Sequence, residues 1–366
     1  MEKKMSSATP GQPTSLFAQK LKEERLTLIL LAIGFIVSAV FVGDPTIAMW
    51  IGFIFAAYSA VANDSIQTLG TFIASNRDRK WWQLWAWVGG IFALTVWYSW
   101  SNYDGDVSYQ RLASKGFDKA PESFHYLQLA APLFLIILTR LRMPVSTTFL
   151  LLSCFAASGK SIGAVVIKSI SGYGIAFVCS IILWGLLSPW MKRKFTGKAH
   201  PAWRYFQWVT TGCLWSVWLQ QDAANIAVYL PRSLSGFEFA AFTGVILAGL
   251  ALLLGMGGEK IQEVVEEKSS VVDVRAATVI DLIYAIILYI FKIQSNVPMS
   301  TTWVFVGLLA GREIAMTWRR AGEEGRTIKD ALRLAGRDLL FVFIGFIISI
   351  ILASIINPAI GEALFK

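Results

Sequence analysis

The chain has 366 residues, of which 55% are hydrophobic and 16% charged, against about 25% charged in soluble domains. That much apolar surface excludes a single water-facing globule, a disordered chain, collagen and a coiled coil, and makes the bilayer the solvent. Two His and three Cys exclude a His-built metal site, a zinc ribbon and a disulfide framework, and the net charge of +9 is read as basic cytoplasmic loops rather than nucleic-acid binding.

Residues 1–25 are polar and end in Lys20, Lys22 and Arg25, which reads as a cytoplasmic tail, disordered or lying on the surface. The apolar run 26–42 is long for a signal-peptide core and no small-residue cleavage pattern follows it, so an extra, retained N-terminal transmembrane helix is expected. Apolar segments follow at 46–74, 82–101, 124–139, 145–158, 161–190, 203–232, 236–256, 274–294, 299–318 and 338–357. Together they predict an all-α polytopic membrane protein of about 11 membrane segments, with a short C-terminal tail at 358–366. Cys154, Cys179 and Cys213 fall inside apolar runs and read as small core residues. Most of the 15 Trp lie near segment ends, as in an aromatic belt.

Lys and Arg favour short cytoplasmic loops, and this orients the segments. Arg77, Arg79 and Lys80, the linker 191–202 with Arg204 beyond it, and the stretch 319–337 are all expected on the cytoplasmic side. The mixed loop 102–123 carries no orienting signal and is left outside by parity. The N-terminus is then cytoplasmic and the C-terminus outside, in the cell membrane.

The chain repeats itself. Met143-Pro144-Val145-Ser146-Thr147-Thr148-Phe149 returns as Val297-Pro298-Met299-Ser300-Thr301-Thr302-Trp303, and Asn63-Asp64 with Gln67 returns as Gln221-Asp222 with Asn225. Two motifs in one order at nearly one offset argue for duplication, with repeat 1 at 46–190 and repeat 2 at 203–357. The loop charges run segment 46–74 and its partner 203–232 in opposite directions, so the repeats are inverted in topology, with broken helices meeting at the midplane.

Asp64 and Asp222 lie within apolar stretches, where an ionised carboxylate costs about 2.5 to 3.5 kcal/mol on insertion scales. A bound cation, sodium or a proton, offsets that cost, with Asn63, Gln67, Gln221 and Asn225 converging beside it at helical spacing. Pro-x-Ser-Thr-Thr is a helix start, since Pro disfavours helix before itself and Ser or Thr caps the first turn. At membrane depth the hydroxyls of Ser146, Thr147, Thr148, Ser300, Thr301 and Thr302, with free backbone N–H groups, can hold an oxyanion. Arg140 and Arg142 precede the first start. If 124–158 is a re-entrant hairpin they sit at depth and meet the anion, and if 124–139 spans they mark the cytoplasmic end. Asp281, Lys168 and Lys292 are read as structural.

At these motifs the chain resembles the inorganic phosphate transporter family, cation-coupled phosphate and sulfate permeases with a duplicated Gly-Ala-Asn-Asp-Val-Ala-Asn-Ala motif and a duplicated Pro-x-Ser-Thr-Thr-His motif. Ala62-Asn63-Asp64 and Gly70-Thr71 match the first copy, and Asp222-Ala223-Ala224-Asn225 matches the second. The chain departs from the pattern at Val61 and Gln220, at Gln67 and Gln221 where Asn is usual, and at Phe149 and Trp303, which replace both His. The resemblance implies that Asp64 and Asp222 hold the cation or lie close to the substrate, and that the six hydroxyls contact the anion. The expected partners are inorganic phosphate or a sulfate-like anion, sodium or a proton, and the lipid bilayer. A homodimer is compatible with this reading, and no cofactor is expected beyond sodium as coupling ion. A non-transporting sensor or assembly protein on a transporter scaffold is the alternative. An intramembrane enzyme with an Asp dyad lacks the Gly-x-Gly-Asp element that such a dyad carries.

Overall fold

The computed structural model describes residues 13–113, 117–141, 143, 145–255, 273–294, 296–319 and 327–365. Every element among them is a helix: α1 (Pro13–Phe41), α2 (Pro45–Ser75), α3 (Trp81–Asn102), α4 (Tyr126–Arg140), α5 (Thr147–Leu150), a 3-10 turn (Leu152–Phe155), α6 (Gly159–Lys194), α7 (Ala202–Ala227), α8 (Gly236–Gly255), α9 (Val274–Gln294), α10 (Thr301–Trp318), α11 (Ile328–Ile356) and α12 (Pro358–Phe365). Five are long and apolar enough to cross a membrane, within Pro45–Asp64, Gly159–Met191, Gly236–Gly255, Val274–Gln294 and Ile328–Ile356. Their outer faces are apolar too, as Ile167, Ile170, Val178, Ile182 and Leu186 along α6 show. Such a face is stable only against lipid.

Local chemistry sets the helix ends. Asp44 accepts the backbone N–H groups of Thr46 and Ile47 at 3.0 Å each, with Pro45 in the first turn, so α2 starts there. Thr327 and Asp330 form a reciprocal capping box that starts α11 at Ile328, well before the apolar run at 338. Residues 13–25 are helical and continuous with α1, and 358–365 form the short helix α12. The run 145–158 is no single helix, because it breaks into α5 and the 3-10 turn.

Neighbouring helices run antiparallel in two pairs. Asn76 at the end of α2 donates to Gln207 near the start of α7 at 2.9 Å, while Gly52 near the start of α2 lies against the Tyr229 ring just past the end of α7. In the second pair Trp85 of α3 donates to the Leu247 carbonyl at 2.9 Å, and Trp100 donates to the Leu234 carbonyl just before α8 at 2.7 Å. These indoles, with Trp87, Trp208 and Trp215, bond between helices, so the Trp residues are less a belt than was expected. Trp81, Trp82, Trp97 and Trp190 remain exposed, as a belt requires. Cys154 is buried as expected, but Cys213 is exposed on α7.

The two basic connections lie on one face of the bundle. Arg204 pairs with Asp78 at 2.9 Å, and Arg275 donates to the carbonyls of Phe195, Thr196 and Gly197 while forking onto Asp273. Burial works against the Asp273 carboxylate, yet this fork and the Arg275 backbone N–H hold it below the ordinary carboxylate range.

Candidate functional site

Two unbroken helices carry the carboxylates. α2 runs straight through Asn63 and Asp64, and α7 runs through Gln221, Asp222 and Asn225, so the helix breaks fall at the Ser-Thr-Thr sequences and not at the Asp residues. All five side chains are buried. The Gln67 side chain, Arg142 and Pro144 lie outside the described residues.

Each Ser-Thr-Thr begins a helix in the manner its residues predict. Ser146 Oγ accepts the Phe149 N–H at 3.1 Å to start α5, and Ser300 Oγ accepts the Trp303 N–H at 3.3 Å to start α10. The following hydroxyls converge on the carboxylates. Thr147 donates to Asp64, with its Oγ1 2.8 and 2.7 Å from the two carboxylate oxygens, and Asn63 Nδ2 donates to Asp64 Oδ1 at 2.8 Å. Thr301, the counterpart of Thr147, lies beside Asp222 and accepts the Trp218 indole N–H at 3.2 Å. Asp222 Oδ1 accepts from Asn225 at 2.6 Å and from Thr148 at 3.3 Å.

One contact then occurs twice. The Thr148 hydroxyl of the first half lies 3.1 Å from the Met299 carbonyl of the second, and the Thr302 hydroxyl of the second lies 3.4 Å from the Val145 carbonyl of the first. Thr148 and Thr302 are counterparts, as are Val145 and Met299. The counterpart rings Phe149 and Trp303 meet on this line with centroids 5.5 Å apart, and Phe346 packs on both. Gln221 Oε1, Asp222 Oδ2 and Asn225 Oδ1 are buried without a hydrogen-bond partner among the described residues. Three orphaned acceptors within little more than one turn of one helix suit a hard cation, which takes oxygen ligands.

Arg140 is exposed at the end of α4, where its charge complements the helix C-terminus. Its neighbour Thr139 does reach the site, donating to Asn63 Oδ1 at 3.1 Å. Of the supporting groups, Ser169 and Tyr284 escaped the sequence reading, which singles out Lys168 as structural. Ser169 Oγ accepts the Ser300 N–H at 2.8 Å, Lys168 Nζ donates to the Val297 carbonyl at 2.7 Å, and the Tyr284 hydroxyl donates to the Thr301 carbonyl at 3.1 Å. The adjacent polar pair Lys168-Ser169 within an apolar run was the available signal. Arg111, buried in the α3–α4 loop with its charge felt at Asp222, had none.

Fold and site together define a helical membrane protein with a buried polar centre of two carboxylates, amides and hydroxyls. No family model matches the chain, and no curated protein or solved structure matches it.

Proposed function

We propose that the chain is a secondary transporter that moves inorganic phosphate or a similar tetrahedral oxyanion together with sodium or protons. The observation that carries this reading is the duplicated centre, in which counterpart hydroxyls cross to counterpart carbonyls beside two buried carboxylates and three unpartnered oxygens. The antiparallel course of α2 and α7 supports two inverted repeats, and inverted repeats carry substrate and coupling-ion sites at the bilayer midplane. A multiply charged anion beside Asp64 and Asp222 needs cations to screen the repulsion, which makes the transport coupled. The sequence resemblance to phosphate permeases names the anion.

The aromatic contact of Phe149, Trp303 and Phe346, where the resemblance implies two His, favours a second reading as a sensor that binds the anion without moving it. Counterflow of labelled phosphate into liposomes holding the purified protein separates the two. Uptake that follows an imposed sodium or proton gradient supports the transporter. Equilibrium binding with no counterflow under either gradient supports the sensor, and neither binding nor uptake rejects both.

A further inference from the structure

The loop between α3 and α4 builds a second polar cavity, distinct from the carboxylate centre. Asp106 accepts the backbone N–H groups of Ser108 at 2.8 Å and Gln110 at 2.6 Å, which turns the chain tightly. Tyr109 (φ 52°) and Gln110 (φ 60°) then both take the left-handed conformation, which non-glycine residues seldom adopt unless the surroundings hold them there. The turn delivers Arg111 inward, where its guanidinium donates to the carbonyls of Gln220 at 3.3 Å and Lys292 at 3.2 Å.

Above this buried cation opens a cavity of about 360 Å³, walled by Tyr98, Tyr103, Tyr109, Ser216, Gln220 and Lys292. That volume holds on the order of ten waters. The Lys292 ammonium lies 5.6 Å from the centre of the Tyr109 ring, and among the described residues no carboxylate pairs with it. With Leu94 and Thr95 completing the wall, the lining offers one cation, phenols, two hydroxyls and an amide, and no acid. Gln220 lines this cavity while its neighbours Gln221 and Asp222 belong to the centre. The cavity lies at the end of α3 and α9 remote from Asp78, Arg204 and the 195–197 connection.

We propose that this cavity is a capture site for a tetrahedral oxyanion, bound by the Lys292 ammonium with donors from Tyr98, Tyr103 and Gln220, at the mouth of the route to the carboxylate centre, the Tyr109 hydroxyl being committed to the Thr95 carbonyl. The choice of phosphate rests on the transport reading, while the site itself does not. Arg111 acts as a positioning residue, pinning the α7 and α9 backbones at the cavity floor and adding positive potential from behind the wall.

The test places a cysteine in the wall, Ser216→Cys, in a full-length chain with Cys179 and Cys213 replaced by Ser, and follows its reaction with a negatively charged thiol reagent. Inorganic phosphate is expected to slow the reaction. Lys292→Gln should raise the half-protecting phosphate concentration roughly tenfold, the weight of one charged hydrogen bond, while Lys292→Arg retains protection and controls for folding. Asp222→Asn should leave protection intact and remove uptake. A chain that never transports yet shows Lys292-dependent protection keeps this site and loses only the transport reading. The proposal is overturned if the cysteine does not react, if phosphate gives no protection, or if protection is the same after Lys292→Gln.

Discussion

Asp222 accepts from Asn225 and Thr148 on Oδ1, with Thr301 beside it and Oδ2 without a hydrogen-bond partner among the described residues, whereas on Asp64 the Thr147 hydroxyl lies within 2.8 Å of both oxygens. The second carboxylate thus has an oxygen to give to a cation, which makes it the more direct ligand. Asp64→Asn and Asp222→Asn are each expected to abolish or sharply reduce cation-driven uptake in liposomes, with elution and melting close to wild type, because losing a buried charge need not destabilise. Wild-type cation dependence in both variants would remove the proposed roles. The Ser-Thr-Thr hydroxyls test the anion. Losing one buried polar contact costs about 1 to 3 kcal/mol, so Ser146→Ala and Ser300→Ala should each weaken phosphate binding by roughly 5-fold to 150-fold. The double variant should depart from additivity by more than about 0.5 kcal/mol, since both groups face one ligand. Calorimetry on the four proteins gives the answer, and strictly additive losses would reduce the second Ser to its capping bond. The five buried polar side chains on α2 and α7 were legible because a carboxylate or amide in an apolar run has few innocent explanations, and duplication doubled the signal. Arg111 was not legible, because one of three basic residues in a loop of mixed charge looks solvated until the left-handed turn at Tyr109 and Gln110 buries it.

At the scale of elements, α6 and α10 pack through glycine. A Cβ at Gly307 or Gly311 would run into the backbone carbonyls of Tyr173 or Phe177, neither of which can step aside as a flexible side chain would. Small residues spaced four apart let membrane helices approach closely, and their dispersion contacts replace the hydrophobic effect that lipid cannot supply. Gly307→Leu and Gly311→Leu should each destabilise the protein by about 1 to 3 kcal/mol or more, read as a drop in thermal midpoint in detergent. Gly174→Ala, with nothing within 4 Å of the added carbon, should be neutral or slightly stabilising. A wild-type midpoint in both Leu variants would mean that the two helices do not pack this way. Sequence reading found most helices to within a few residues, since hydrophobic runs end where the polar caps begin. It missed the starts of α1 and α11 because an apolar count discards the polar and charged turns that precede each apolar run, even where, as at α11, a capping box makes them helical. A helix satisfies its own backbone, so a buried carboxylate given side-chain donors from neighbouring elements leaves α2 and α7 intact.

For the molecule as a whole, the Arg204–Asp78 pair and the Arg275 clamp on 195–197 gather two basic connections on one face, and Ser233 lies beyond the far end of α7. Lys198→Cys and Ser233→Cys should therefore report opposite sides of the membrane. In intact cells an impermeant thiol reagent added outside should label the second and spare the first. Labelling of both from one side would mean that α7 does not cross. The exchanged contacts between Thr148 and the Met299 carbonyl and between Thr302 and the Val145 carbonyl carry a different consequence, one for heredity and assembly. Each half of the chain sends a hydroxyl across to a carbonyl of the other half, a contact that water cannot replace in lipid. A gene cut between Lys198 and Ala199 should yield two fragments that are each degraded when made alone, and that accumulate and co-purify as one particle when made together. The fused chain then looks like two mutually dependent proteins whose partnership a single linker has made permanent.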